Sequence, residues 1–97
     1  MAGEEKKLEN KIKKYVSMRG GYIVKYHGGT YGRSGVPDLL ICYKGRFIAL
    51  EVKKPTGGIT SVLQDYNVDS IRLAGGIADV VTSLDKVIDI LGGVDND

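Results

Sequence analysis

The 97-residue chain has few of the residues that cross-link small proteins. It contains one Cys and one His, which excludes an internal disulfide framework, a Cys-cluster zinc site and a metal site with two or more His ligands. A chain of this length is too short for a second, cofactor-binding domain. We therefore expect residues 1–97 to form a single domain, with a frayed tail at about residues 94–97.

Long apolar runs are also missing. No run approaches the roughly 18 residues that a membrane-spanning helix needs. The first residues include the charged run Glu4, Glu5, Lys6 and Lys7 with no apolar segment behind it, unlike a secretory signal peptide. We expect a soluble, cytoplasmic protein with no membrane partner.

The small net charge of +2 hides an uneven distribution. Residues 1–54 carry twelve Lys and Arg against five Asp and Glu, a difference of +7, whereas residues 55–97 carry two against seven, a difference of −5. Such asymmetry indicates an anionic partner for the basic half. The alternative, which composition leaves open, is that basic and acidic elements simply pack side by side.

Glycine pairs separate segments with clear periodicity, because Gly costs most in regular elements and favours their borders. Apolar spacing of three and four residues predicts helices, and short β-rich runs predict strands. Ser61 and Gln64 form the spacing of a helix capping box. The predicted elements are helix 4–19, strand 22–26, a Gly-rich loop 27–36, strands 37–43 and 46–53, a loop 54–59, helix 60–74, strand 77–82 and helix 84–91.

The two middle strands flank Lys44-Gly45 and so predict a hairpin. Both strands are apolar on both faces, whereas an antiparallel strand with one wet face alternates with polar residues. We therefore expect these strands to be central in a sheet between helices, in an α/β fold, with Cys42 in the core.

Three charged residues interrupt this apolar hairpin. With a two-residue turn, Asp38 lies opposite Glu51, and Lys53 shares the face of Glu51. A bulge at Gly45 would shift the pairing by one residue and leave both carboxylates at the same end. Opposed buried carboxylates need a compensating cation, and Lys53 neutralises only one of them. The remaining charge and the oxygen ligands suit Mg²⁺ or Mn²⁺, although a structural ion pair at a solvated strand end is the alternative.

Two carboxylates that hold a divalent metal beside a lysine are suited to one type of chemistry. The metal polarises a phosphoryl oxygen and lowers the pKa of water, and the ammonium stabilises the charge that develops. The residues Asp38, Glu51 and Lys53 therefore predict metal-assisted phosphodiester hydrolysis.

Pro37-Asp38, followed after twelve residues by Glu51-Val52-Lys53, resembles the signature of PD-(D/E)XK nucleases. More closely, the chain resembles the VRR-Nuc group from about residue 9 to residue 91, and especially its stand-alone phage and bacterial type. The matching positions are residues 34–40, 49–55 and 74–78, with Thr60 and Gln64.

This resemblance implies a restriction-endonuclease-like α-β-β-β-α-β core with a mixed central sheet flanked by helices and an added C-terminal helix. It implies that Asp38, Glu51 and the carbonyl of Val52 bind Mg²⁺, with Mn²⁺ as a substitute, and that Lys53 is catalytic. Glu9 and Gln64 match further catalytic positions. Their alternatives are an ion pair of Glu9 with Lys13 and the capping box of Gln64 with Ser61.

The resemblance also implies a homodimeric endonuclease that cuts branched DNA such as Holliday junctions, in a bacterial or phage-infected cell. A two-fold dimer would supply the two symmetric cuts that a junction needs. The alternatives are a flap or replication-fork nuclease and a catalytically silent DNA-binding module.

Tyr26 and Tyr31 either stack on bases or pack internally. Predicted contacts to the DNA phosphates come from Lys25, His27, Arg33, Ser34 and Lys54.

Overall fold

The computed structural model describes residues 3–28 and 32–97. Within these residues, three helices flank a four-stranded sheet in the element order that the sequence predicts. No helix in the described ranges is both long and apolar enough to cross a bilayer. The elements are α1 (Glu4–Met18), β1 (Tyr22–Lys25), β2 (Leu39–Tyr43), β3 (Arg46–Val52), α2 (Val62–Leu73), β4 (Ile77–Val81) and α3 (Leu84–Asp95).

The sheet is mixed, as predicted, and its strands follow chain order from β1 to β4. The pairs β1–β2 and β2–β3 are antiparallel, whereas β3 and β4 are parallel. A parallel pair needs a crossover connection, and α2 supplies it here. The hairpin strands β2 and β3 are therefore the central strands, which confirms the prediction from their apolar faces.

The hairpin has the predicted two-residue turn. Tyr43 pairs with Arg46 and Leu39 with Leu50, so no bulge shifts the register. Lys44 and Gly45 have φ angles of 50° and 78°, and two left-handed residues match the twist of the flanking strands. The last pair of this ladder is Leu39 and Leu50. Asp38 directly precedes Leu39 and Glu51 directly follows Leu50, so both lie at the same end of the hairpin.

Helices cover both faces of the sheet, but unequally. The main core lies between the sheet and the pair α1 and α3, and a smaller cluster, Ala49, Val68 and Ala78, lies beneath α2. The prediction that Cys42 lies in the core is wrong, since Cys42 is exposed. The reason is that α2 packs mainly on β3 and β4. The same face of the sheet is therefore left uncovered at Cys42 and at Tyr22 and Phe47, the residues that pair with Cys42 on the neighbouring strands.

Helix α3 extends further along the C-terminal segment than the sequence predicts. Helix α3 was expected to end at residue 91, but it continues to Asp95, because Val94 is buried against the core. The Asp95 carboxylate accepts a hydrogen bond from the Tyr43 hydroxyl at 2.7 Å and forms ion pairs with Lys44 at 2.6 Å and with Arg19. These contacts join α3 to the hairpin turn and to the end of α1.

Replacing Asp95 by Asn is expected to lower the melting temperature at pH 7. Hydrogen bonds from Lys44, Tyr43 and Arg19 lower the pKa of Asp95 to about 2, so this stabilisation is present above its ordinary value of 3.8 and is lost as the pH falls towards 2. Thermal unfolding across this pH range tests it. Asp97→Asn is the control, because Asp97 is exposed and its ion pair is with Arg46 on the surface. Equal effects of both variants at pH 7 would contradict the role of Asp95.

Candidate active site

Asp38 is anchored from two neighbouring strands. Its carbonyl accepts a hydrogen bond from the Tyr26 N–H at 2.7 Å, and its carboxylate Oδ2 accepts one from the Val52 N–H at 2.9 Å. The Asp38 side chain thus accepts a hydrogen bond from the backbone of β3 at the point where the β2–β3 ladder ends. This arrangement fixes the carboxylate beside the last residues of β3.

Glu51 is a buried carboxyl group, with 2% of its surface exposed. Its Oε1 atom is buried and finds no hydrogen-bond partner among the described residues. Burial, together with the nearby carboxyl group of Asp38, raises the pKa of Glu51 to about 8, and Lys53 opposes this rise. At neutral pH Glu51 therefore keeps its proton in the protein without metal.

Lys53 lies beside this pair. Its Nζ is 3.7 Å from Glu51 Oε2, and only 16% of its side chain is exposed. The loop after β3 passes close over it, since a methyl group added at Gly58 would lie 2.9 Å from Lys53 Cβ. The three residues Asp38, Glu51 and Lys53 are therefore adjacent, as the hairpin register predicts.

A second ion pair faces the same end of the sheet. Glu9 on α1 is 3% exposed, and its Oε1 lies 2.8 Å from Lys25 Nζ on β1. Burial opposes ionisation of Glu9, but Lys25, and more weakly Lys13 and Lys6, outweigh it and hold the pKa of Glu9 below its usual range. The pair opens into a cavity of about 250 Å³ lined by Glu5, Lys6, Glu9, Lys25, Asp38 and Val52.

The donor set of Asp38 and Glu51 fits a magnesium ion. Residues 3–28 and 32–97 contain no cluster of three or more Asp, Glu, His or Cys side chains that could hold a metal ion. Mg²⁺ retains several waters and binds proteins through one or two carboxylates, so two are enough. The partnerless Oε1 of Glu51 is the atom that a bound cation would satisfy. The Val52 carbonyl as a third ligand remains a prediction.

Gln64 takes part in the helix cap that the sequence offered as its alternative role. Its side-chain oxygen accepts a hydrogen bond from the Ser61 N–H at 2.9 Å, and Ser61 Oγ accepts one from the Gln64 N–H at 3.1 Å. A catalytic role for Gln64 stays a prediction that no described contact supports.

The predicted DNA contacts divide into two groups. His27, Arg33, Ser34 and Lys54 are exposed, whereas Lys25 is ion-paired inside the site. The Tyr26 hydroxyl accepts from the Arg33 N–H at 2.7 Å and donates to the Arg33 carbonyl at 3.0 Å, so Tyr26 is used internally. Tyr31, like Gly29 and Thr30, lies outside the described residues.

Asn67 is a positioning residue that sequence reasoning missed. It is 7% exposed, and its side-chain amide donates to the carbonyls of Ser34 at 3.2 Å and Leu63 at 2.8 Å. It thereby attaches the segment before Asp38 to α2. The sequence pattern does indicate it: Asn67 is a polar residue midway between Leu63 and Ile71 on the apolar stripe of the helix.

Comparisons with known proteins support this architecture at the level of structure. No protein-family model and no curated protein matches the sequence. A solved structure described as a VRR_NUC domain is 28% identical and superposes with a TM-score of 0.80, covering 94% of this chain and 97% of that one. A second, described as a VRR_NUC domain protein, is 16% identical with a TM-score of 0.67, covering 96% and 88%.

The mixed sheet, its flanking helices and the carboxylate pair define a restriction-endonuclease-like α/β domain of the nuclease type. Within that class, the chain has the fold of a VRR-Nuc domain, which confirms the resemblance drawn from its motifs.

Proposed function

We propose that this chain is a divalent-metal-dependent endonuclease that hydrolyses phosphodiester bonds in DNA. The observation that carries the proposal is the buried, partnerless oxygen of Glu51 beside Asp38 and Lys53. A buried carboxyl group without a partner reduces stability, so its presence at the end of a central hairpin points to a functional site. The VRR-Nuc fold of the chain supports the same conclusion.

The residues have separate tasks in this proposal. Asp38 and Glu51 hold Mg²⁺, with the Val52 carbonyl as a third ligand, and Mn²⁺ substitutes for it. When bound, the ion supplies positive charge to the phosphate and lowers the pKa of water. The Lys53 ammonium, kept beside the carboxylates by burial of its stem, stabilises the negative charge that develops on the phosphate.

The proposed substrate is branched DNA, cut by a homodimer. One carboxylate pair cuts one strand, so the two symmetric cuts of a four-way junction need a second copy related by a two-fold axis. Helix α2 supports self-association because it exposes four large apolar side chains: Val62 at 87%, Leu63 at 45%, Tyr66 at 60% and Leu73 at 89%. Contiguous exposed apolar surface is typical of interaction sites.

A side-by-side cleavage assay tests this function. The protein is incubated with a four-way junction, a flap and a linear duplex, each in Mg²⁺ and in EDTA, while light scattering measures its mass. We expect a dimer that makes two symmetric nicks in the junction and cuts only with metal. Preferential cutting of the flap would show that the protein is a flap nuclease rather than a junction-cutting endonuclease. Salt-dependent binding without metal-dependent cutting would overturn the enzyme and leave a DNA-binding module.

A further inference from the structure

The Glu9–Lys25 pair has more positive charge around it than neutralisation of one carboxylate requires. Two lysines of α1 itself already lie near the carboxylate, Lys6 at 3.5 Å and Lys13 at 3.8 Å. The closest cation, however, is Lys25 at 2.8 Å, and it comes from a different element, β1. Lys25 therefore adds a positive charge at a place where local pairing along the helix is already available.

The position of Lys25 in the sheet explains what this charge faces. Lys25 pairs with Leu39 in the β1–β2 ladder, so it lies next to Asp38, the first proposed metal ligand. Its side chain is 28% exposed, and Lys25 lines the same cavity as Asp38 and Val52. Lys25 is thus held at its ammonium by Glu9 and borders the space that a ligand in the cavity would occupy.

The cavity has room for a small ligand group. Its volume of about 250 Å³ is below the roughly 300–1,000 Å³ typical of pockets for whole small molecules. Lys6 and Lys25 are the positive charges of its lining, beside the carboxylates of Glu5, Glu9 and Asp38. A compact, strongly hydrated ammonium is a frequent point-charge ligand for phosphate. Positive charge beside the carboxylates also offsets their repulsion of a phosphodiester.

We propose that Lys25, held by Glu9, binds a non-bridging oxygen of the DNA phosphate that enters the active site. This inference rests on the proposed nuclease function and assigns Lys25 to the cut phosphate rather than to the general basic surface. Glu9 is then a positioning residue, which holds the ammonium of Lys25 at the lining of the cavity that Asp38 shares.

Binding measurements in EDTA test the contact without any cleavage. Lys25→Gln is compared with Lys13→Gln, which removes one charge near the same Glu9 but from outside the cavity lining. We expect Lys25→Gln to bind junction DNA about tenfold more weakly than Lys13→Gln at low salt, as for loss of one charge-assisted hydrogen bond. The slope of log affinity against log salt concentration should decrease by the amount expected for about one phosphate contact. Lys25→Arg should restore most of this slope and of the affinity.

A DNA with a neutral methylphosphonate at the position cut by the wild-type protein identifies the phosphate involved. This change should weaken binding by the wild type and by Lys13→Gln, but have little further effect on Lys25→Gln. A purely structural role of Lys25 would give the same loss in all three proteins. That equal loss, or equal DNA affinity of the two variants, would overturn the proposal.

Lysine methylation of the wild-type protein keeps the test valid if Lys25→Gln does not fold. Mass spectrometry should show that DNA protects Lys25 more than Lys13, and no difference in protection would count against the contact. The outcomes also distinguish failure of the phosphate contact from failure of the proposed function. A wild-type protein that never cuts disproves the nuclease, whereas a wild type that cuts without protecting Lys25 disproves only the phosphate contact.

Discussion

Lys53→Ala is expected to slow cleavage of branched DNA in Mg²⁺ by orders of magnitude while leaving DNA binding nearly unchanged. Removing one group that stabilises developing charge lowers turnover by about 10²–10³-fold. The Lys53 ammonium lies 3.7 Å from Glu51 and is largely buried, so neither a surface lysine nor water replaces it. Single-turnover cleavage and a binding titration in EDTA measure the two quantities separately.

Lys54→Ala is the matched control for this change. Lys54 is the next residue in the chain and has the same charge, but it is exposed at the start of the loop after β3. We expect Lys54→Ala to weaken binding slightly and to cut at nearly the wild-type rate once DNA is saturating. Full cleavage by Lys53→Ala, or equal loss of turnover in both variants, would refute the role of Lys53.

The part of the site that could be predicted from the sequence depends on local geometry. A two-residue turn at Lys44-Gly45 sets the register of the whole hairpin, because each later pair follows from the first. The adjacency of Asp38 and Glu51 is a direct consequence. Likewise, the capping box of Ser61 and Gln64 spans only three residues and is observed as predicted.

The parts that could not be predicted depend on packing between distant segments. Lys25 was predicted only as a DNA contact, and its pairing with Glu9 requires the relative placement of α1 and β1. Cys42 appeared to be a core residue because hydrophobicity does not show where α2 stops covering the sheet. The contacts of Asp95 were not predicted, because its partners Arg19 and Lys44 lie more than fifty positions away in the chain.

Glu51→Gln is expected to stabilise the metal-free protein and to abolish cleavage. The raised pKa means that folded Glu51 holds a proton that the unfolded chain releases above its ordinary value of 4.5. Wild-type stability should therefore fall as the pH rises from 4.5 to about 8. Gln remains neutral, so the variant avoids this loss, which is on the order of 3 kcal/mol at pH 7.

Urea unfolding in EDTA between pH 4.5 and 8 measures this difference. The advantage of Glu51→Gln should be absent at the acid end, where the wild-type carboxyl group is also neutral, and should grow with pH. Asp89→Asn is the control, because Asp89 is an exposed acid on α3 and its replacement should not change the slope. A constant advantage at every pH would show that packing, rather than ionisation, distinguishes Gln from Glu.

Adding Mg²⁺ should reverse the order of the two proteins. A cation that binds the folded state alone stabilises it by mass action, and it favours the ionised form of Glu51. The wild type should gain stability and lose its pH dependence, whereas Glu51→Gln should gain little because only one carboxylate remains. If Mg²⁺ stabilised both proteins equally, the buried oxygen of Glu51 would not be a metal ligand. Its unfavourable burial in the free protein is explained if this site is selected for metal binding rather than for stability.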